Sequence, residues 1–300
     1  MCKRELFVSV DGHGLLGSWE ELNHDWQLAI ENYPQIKFAG YEFYAWAMQG
    51  LVQKTGGDLA RQVLEARKRG VPLAAIHLRT GGVHETYDWF SRSKLFVLNE
   101  LMLPTVQVIR ELGWLVSYGV THAPDSRNWG LMETLKNEPN LLPYLFAEPH
   151  GHVGSDGTAL DLARTWHKAG VRSGVMFDLV HSYLASSYLQ DKLTERIDLV
   201  LDNFDWILES ARDGKISTVG IHVPMGTEST DSLPYTVRSV LLREVAVRAN
   251  DSSKEDKVKI VTIEGQRKLP DSIKLRSSRR HEFRTWAYQT MDMVVQSGLV

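Results

Sequence analysis

Three hundred residues, 43% of them hydrophobic and 24% charged, are enough to bury a large core as one big domain or two small ones. A formal net charge of −3 and an isoelectric point near 6.4 leave no excess of positive charge for a phosphate backbone, which argues against nucleic acid as a partner. Cys2 is the one cysteine, so an internal disulfide and a thiolate metal cluster are both excluded.

The chain opens with MCKRELFVSVDGHG, which runs into a strand-like segment without the apolar core of a signal peptide, and no uninterrupted apolar run is long enough to cross a membrane. A cytoplasmic location is the expectation. Short apolar runs rich in Val, Ile, Leu and Phe then alternate with longer stretches whose apolar residues recur at helical spacing. Strands are expected at residues 5–11, 38–44, 72–78, 114–122, 142–148, 173–178, 217–222 and 259–264. Helices are expected between them, at 18–32, 58–70, 94–113, 158–170, 194–214 and 233–250, and a last one at 281–298. The second to fifth of these stop at Gly70, Gly113, Gly170 and Gly214, as helix C-termini commonly do. The polar run 250–257 and the basic run 267–281 read as solvated loops.

Eight strands with crossovers between them fit a (β/α)8 TIM barrel forming a single domain over residues 1–300. A doubly wound open sheet fits less well, because no G-x-G-x-x-G turn follows the first strand.

In such barrels the site forms at the C-terminal ends of the strands, and those ends form a consistent set here. The third strand ends at His77, the fourth at His122, the fifth at Glu148, the sixth at Asp178 with His181 just beyond, the seventh at His222 and the eighth at Glu264. Taken singly, a strand-terminal Asp or Glu is more often a cap for the next helix, and a core histidine is usually satisfied by a carbonyl. Several buried carboxylates together are costly unless something positive compensates, and a divalent cation does so. Without thiolates the donor set suits Mn²⁺, Co²⁺, Fe²⁺, Mg²⁺ or Zn²⁺. Arg79, two residues past His77, either reaches an anionic substrate group or is a surface charge. Tyr87, Trp89 and Phe90 form either an apolar wall for a sugar or a lid over ordinary core. His13, His150 and His152 belong either to the mouth of the barrel or to exposed Gly-rich loops.

The segments GYEFY around Glu42, LFAEP around Glu148, FDLVH with Asp178 and His181, VGIHV around His222 and VTIEG around Glu264 resemble, in that order, the strand-end motifs of the xylose-isomerase-like TIM barrels. That superfamily includes ketose 3-epimerases, hydroxypyruvate isomerases, inosose dehydratases and type IV AP endonucleases. The resemblance implies one catalytic divalent metal ion on Glu148, Asp178, His222 and Glu264, with Glu42 supporting the site from behind. It implies that His181 contacts substrate or a second metal, and that His77 and His122 stand where the endonuclease branch holds further zinc.

The expected activity is that of a metal-dependent isomerase, epimerase or related lyase on a sugar or keto-polyol. Glu148 and Glu264 would exchange a proton while the ion stabilises an enediolate. The alternatives are phosphodiester hydrolysis of the AP endonuclease type, an iron-dependent oxidation, or a non-catalytic ligand-binding barrel. Against the trinuclear endonuclease site, HVPMGTESTDSLPY after the seventh strand has no second histidine. A small-molecule partner is expected, with no nucleic acid and no membrane; the resemblance is also compatible with a homo-oligomer.

Overall fold

The computed structural model describes residues 4–10, 19–44, 58–78, 103–122, 134–149, 153–225, 233–251, 257–264 and 277–300. Eight strands make a closed parallel barrel in sequence order: β1 (Glu5–Val10), β2 (Lys37–Tyr44), β3 (Leu73–Leu78), β4 (Tyr118–His122), β5 (Leu145–Glu148), β6 (Ser173–Asp178), β7 (Thr218–Pro224) and β8 (Val258–Glu264). The helices around it are α1 (Trp19–Glu31), α2 (Leu59–Lys68), α3 (Leu103–Leu112), α4 (Ser155–Lys168), α5 (Leu179–Ser187), α6 (Leu193–Arg212), α7 (Tyr235–Asn250) and α8 (Ser277–Gln296). The expected (β/α)8 architecture is therefore the observed one. No helix among the described residues is long and apolar enough to cross a membrane.

The period-two alternation of the strands explains where each side chain goes. One set packs outward against the helices, as Leu6, Val8, Tyr41, Phe43, Ile76, Val175, Phe177, Ile221 and Ile263 do in the main core. The other set turns inward, where Phe7, Ala75, Tyr118, Val120, Phe146, Met176 and Ile260 fill the barrel. Room for Met176 and the Phe146 ring comes from glycines, whose positions leave no space for a Cβ. A Cβ on Gly220 would sit 2.6 Å from the Met176 sulfur, and one on Gly174 only 2.2 Å from the Thr218 carbonyl oxygen.

Several boundaries differ from the expectation. The fourth strand begins at Tyr118 rather than residue 114, because Gly113 to Leu115 form a turn that leaves Trp114 70% exposed. The fifth begins at Leu145 rather than 142, and α4 starts at Ser155, three residues before the expected Thr158. The last helix starts at Ser277, so the end of the basic run 267–281 is helical. Helix α5 was not expected at all. It follows β6 with no loop between them, since Asp178 is both the last strand residue and the N-cap, its Oδ1 accepting the His181 backbone N–H at 2.8 Å. Of the expected helix 94–113, the part before Leu103 lies outside the described residues, as do residues 252–256 of the polar loop.

Candidate metal centre

The inward set continues above the aromatic layer with residues of a different kind. Along β3, β4, β5 and β7 the inward positions run from Ala75 to His77, from Val120 to His122, from Phe146 to Glu148 and from Gly220 to His222. Strand register aligns them, pairing His122 with Glu148 and Asp178 with His222. Glu42, Glu148 and His222 are fully buried, and Asp178 and His77 nearly so. Glu264 is half-buried and is the most open of the carboxylates.

Two groups of potential ligand atoms result, and they share a residue. Glu148, Asp178, His222 and Glu264 form one; His77, His122 and Glu148 form the other; within each group the ligand atoms lie within 4.8 Å of one another. Glu148 presents a different oxygen to each. Its Oε1 is 2.8 Å from Nδ1 of His222, while its Oε2 is 2.7 Å from Nε2 of His122 and 3.3 Å from Nε2 of His77. The two imidazoles of the second group approach each other to 3.1 Å, Nε2 to Nε2.

The chemistry of the donors tests whether a cation fits. A neutral imidazole carries one N–H, so if His222 gives its Nε2 proton to Glu42 Oε2, 3.3 Å away, its Nδ1 lone pair faces the Glu148 carboxylate. Acceptor against acceptor at 2.8 Å requires a proton or a cation between them. The same holds where Glu148 Oε2 meets two Nε2 atoms: that oxygen is buried, with imidazole nitrogens at contact distance but no well-formed hydrogen bond. Asp178 repeats the pattern, Oδ1 capping α5 and Oδ2 buried without a hydrogen bond, 3.3 Å from Nδ1 of His181. The residues present therefore fit a divalent cation.

Titration follows from the same crowding. Burial pushes Glu148 up, but His122, His222 and His77 outweigh it and hold the carboxyl well below the usual range. Burial also works against the charge of Glu42, yet His222 and His77 bring it down to about 2. Asp178 goes the other way: burial and then the charges of Glu264 and Glu148 raise it well above an ordinary aspartate. Burial works against the His222 cation, but Glu42 and Glu148 on either side hold its proton well above the usual imidazole range. Without metal, then, the site balances its carboxylates by protonating Asp178 and His222.

Of the residues singled out by sequence, Glu42, His77, His122, Glu148, Asp178, His181, His222 and Glu264 all come to this layer. His181 lies on the first turn of α5, 3.9 Å from Glu148 Oε1. Arg79, His13, His150, His152, Tyr87, Trp89 and Phe90 lie outside the described residues. Sequence reading missed Tyr118 and Thr262, whose hydroxyls meet beneath Glu42. The signal was available, since Tyr118 stands four residues before His122 and so shares its inward face.

Fold and site together define a (β/α)8 barrel with a buried carboxylate and imidazole centre at the C-terminal ends of its strands. No family model matches the chain, and no curated protein does. Solved structures do. The probable 3-DHS dehydratase AsbF of Bacillus anthracis, involved in petrobactin synthesis, aligns over 96% of this chain and 98% of its own, with a TM-score of 0.52 at 11% identity. Endonuclease IV from Thermus thermophilus aligns over 95% and 99%, with a TM-score of 0.46 at 17% identity. An L-ribulose 3-epimerase aligns over 98% and 97%, with a TM-score of 0.47 at 12% identity. At such identities the likeness establishes the fold alone, a closed (β/α)8 barrel.

Proposed function

We propose that the chain is a divalent-metal-dependent isomerase, epimerase or related lyase acting on a sugar or keto-polyol by proton transfer beside a carbonyl. The observation that carries this reading is the convergence of Glu148, Asp178, His222 and Glu264, within 4.8 Å, at the end of the barrel where such sites lie. When bound there, a divalent ion supplies Lewis acidity to substrate oxygens, which stabilises the charge that builds when a neighbouring carbon loses its proton. Glu264, the least buried carboxylate of the set, is the group best placed to take that proton. Glu148, the other carboxylate expected to act as acid or base, has imidazole nitrogens against both of its oxygens and would also be the shared ligand of the two groups. His181, with its side chain 12% exposed, is the better candidate to meet substrate. Similarity of fold to a probable dehydratase and to an epimerase is in keeping with this range of chemistry.

One observation favours a second reading. The His77, His122 and Glu148 group offers a place for a second cation beside the first, and two-metal sites serve phosphodiester hydrolysis by clamping the attacking and leaving oxygens. The two readings separate in one series. The chain is stripped with chelator, reloaded with Mn²⁺ or Zn²⁺, and its ions per chain are counted; it is then given a panel of ketoses and keto-acids in deuterated water and, separately, an aryl phosphodiester. Deuterium entering next to the carbonyl, lost in Glu264→Gln while metal is retained, supports proton transfer. Diester cleavage that appears only with the second ion supports hydrolysis. A chain that retains no metal overturns both.

A further inference from the structure

Glu42 touches both donor groups, one oxygen to each. Its Oε1 is 3.1 Å from Nδ1 of His77, and its Oε2 is 3.3 Å from Nε2 of His222. The same Oε2 accepts the Tyr118 hydroxyl at 2.9 Å. Having given its proton to Glu42, that hydroxyl accepts in turn from Thr262 Oγ1 at 2.8 Å. The Tyr118 ring has little freedom, because Phe7 stands edge-on to it at 4.8 Å and Phe146 at 5.5 Å, all three fully buried. A continuous contact path thus runs from the aromatic filling of the barrel, through one phenol and one carboxylate, to one imidazole of each group.

That placement has a chemical consequence. An imidazole offers a lone pair to a cation only when its other nitrogen carries the proton, and the acceptor of that proton fixes both tautomer and ring orientation. For His77 and His222 that acceptor is a single carboxylate. We propose that Tyr118 is a positioning residue that acts through Glu42 on both donor groups at once, so that they take up cations as a coupled pair. The inference rests on the two-group metal reading above. The first ion to bind fixes its imidazole, that imidazole fixes Glu42, and Glu42 presents the imidazole of the other group already turned. Less ordering remains for the second ion, and uptake is cooperative.

The test is calorimetric titration of the full chain, stripped of metal, with Mn²⁺ and with Zn²⁺. The wild type is expected to take two ions with positive cooperativity. Tyr118→Phe keeps the ring and its packing and removes the hydroxyl, so fold and stoichiometry should persist. Affinity should fall about tenfold or more for both ions, and cooperativity should weaken. In a Glu42→Gln background the same Tyr118→Phe change should have no further effect on affinity, since its path is already cut. A merely structural role for the phenol would lower the melting temperature and leave the binding curves where they were, which would overturn the proposal. So would equal effects of Tyr118→Phe with and without Glu42. A wild type that takes fewer than two ions would instead overturn the two-group reading on which the proposal stands, and stoichiometry tells that failure from the other.

Discussion

At the scale of single residues the site is a problem of charge in a dry place. Asp178 and His222 both hold protons beyond their ordinary ranges in the metal-free protein, for opposite reasons: burial and neighbouring carboxylates raise the first, while Glu42 and Glu148 raise the second against burial. A cation entering the quartet displaces both protons. Metal affinity should therefore rise with pH from the ordinary values of these two groups up through their shifted ones, and proton release should appear as a dependence of the binding heat on buffer ionisation. Both folded values lie above the unfolded ones, so the stability these groups contribute is complete below their ordinary values and is lost as pH rises through the shifted ones. Metal-free protein should weaken as pH rises over that interval, and loaded protein should not. Affinity that is flat or falling with pH, or binding heats independent of buffer, would contradict the assignment. The identity of these residues was legible in the sequence because each stands at the end of an apolar run. Their pairing was not, because it depends on which oxygen of Glu148 faces which strand, and that is set by register around the barrel.

At the scale of elements, Asp178 is a helix cap that also stands in a group able to hold a metal ion, so the two roles do not exclude each other. One oxygen holds the first turn of α5 and the other faces the donor group. The helix it caps was invisible in sequence because Leu179, Ser182, Ala185 and Ser186 are buried together, leaving no one-sided apolar stripe to read. Its neighbours fix it further: Asp156, buried in the first turn of α4, accepts from Ser182 Oγ at 2.6 Å and from Asn203 Nδ2 at 3.1 Å, joining α4, α5 and α6. Asn caps helices about as well as Asp, whereas Ala does not. Both Asp178→Asn and Asp178→Ala remove the carboxylate, so both should lose metal from the quartet. Only Asp178→Ala should lose the cap as well, leaving metal-free Asp178→Asn more stable by about 1 kcal/mol in urea unfolding. Equal stability of the two variants would mean that the cap contributes nothing, and full metal retention in Asp178→Asn would remove this carboxylate from the ligand set.

At the scale of the whole molecule, the barrel separates what holds it together from what it presents. Strand count and order were readable from alternation, and eight strands with crossovers already pointed to a closed barrel. The register was not readable: it shifts between Leu6 and Phe7, Tyr41 and Glu42, and Val219 and Gly220, and no pattern of apolar residues announces those shifts. At the end opposite the site, buried Arg4 ties the first strand to the rest of the ring: its guanidinium donates to the carbonyls of Val258 at 3.0 Å, Leu299 at 2.8 Å and Ala249 at 3.2 Å. One side chain thus joins the entry to β8, the end of α7 and the last residues of the chain. Removing it strands three carbonyls, so Arg4→Ala should cost on the order of 3 kcal/mol. For a chain of this length that lowers the melting temperature by about 5 °C. The ligand layer lies at the other end of the same strands, so the variant should bind metal with wild-type stoichiometry and affinity below its melting temperature. Chelation should do the reverse, removing metal-linked stability while leaving the Arg4 contacts in place. If Arg4→Ala lost metal in proportion to stability, the two ends of the barrel would be one cooperative unit, and the division between a stabilising face and a chemical face would not hold for this protein.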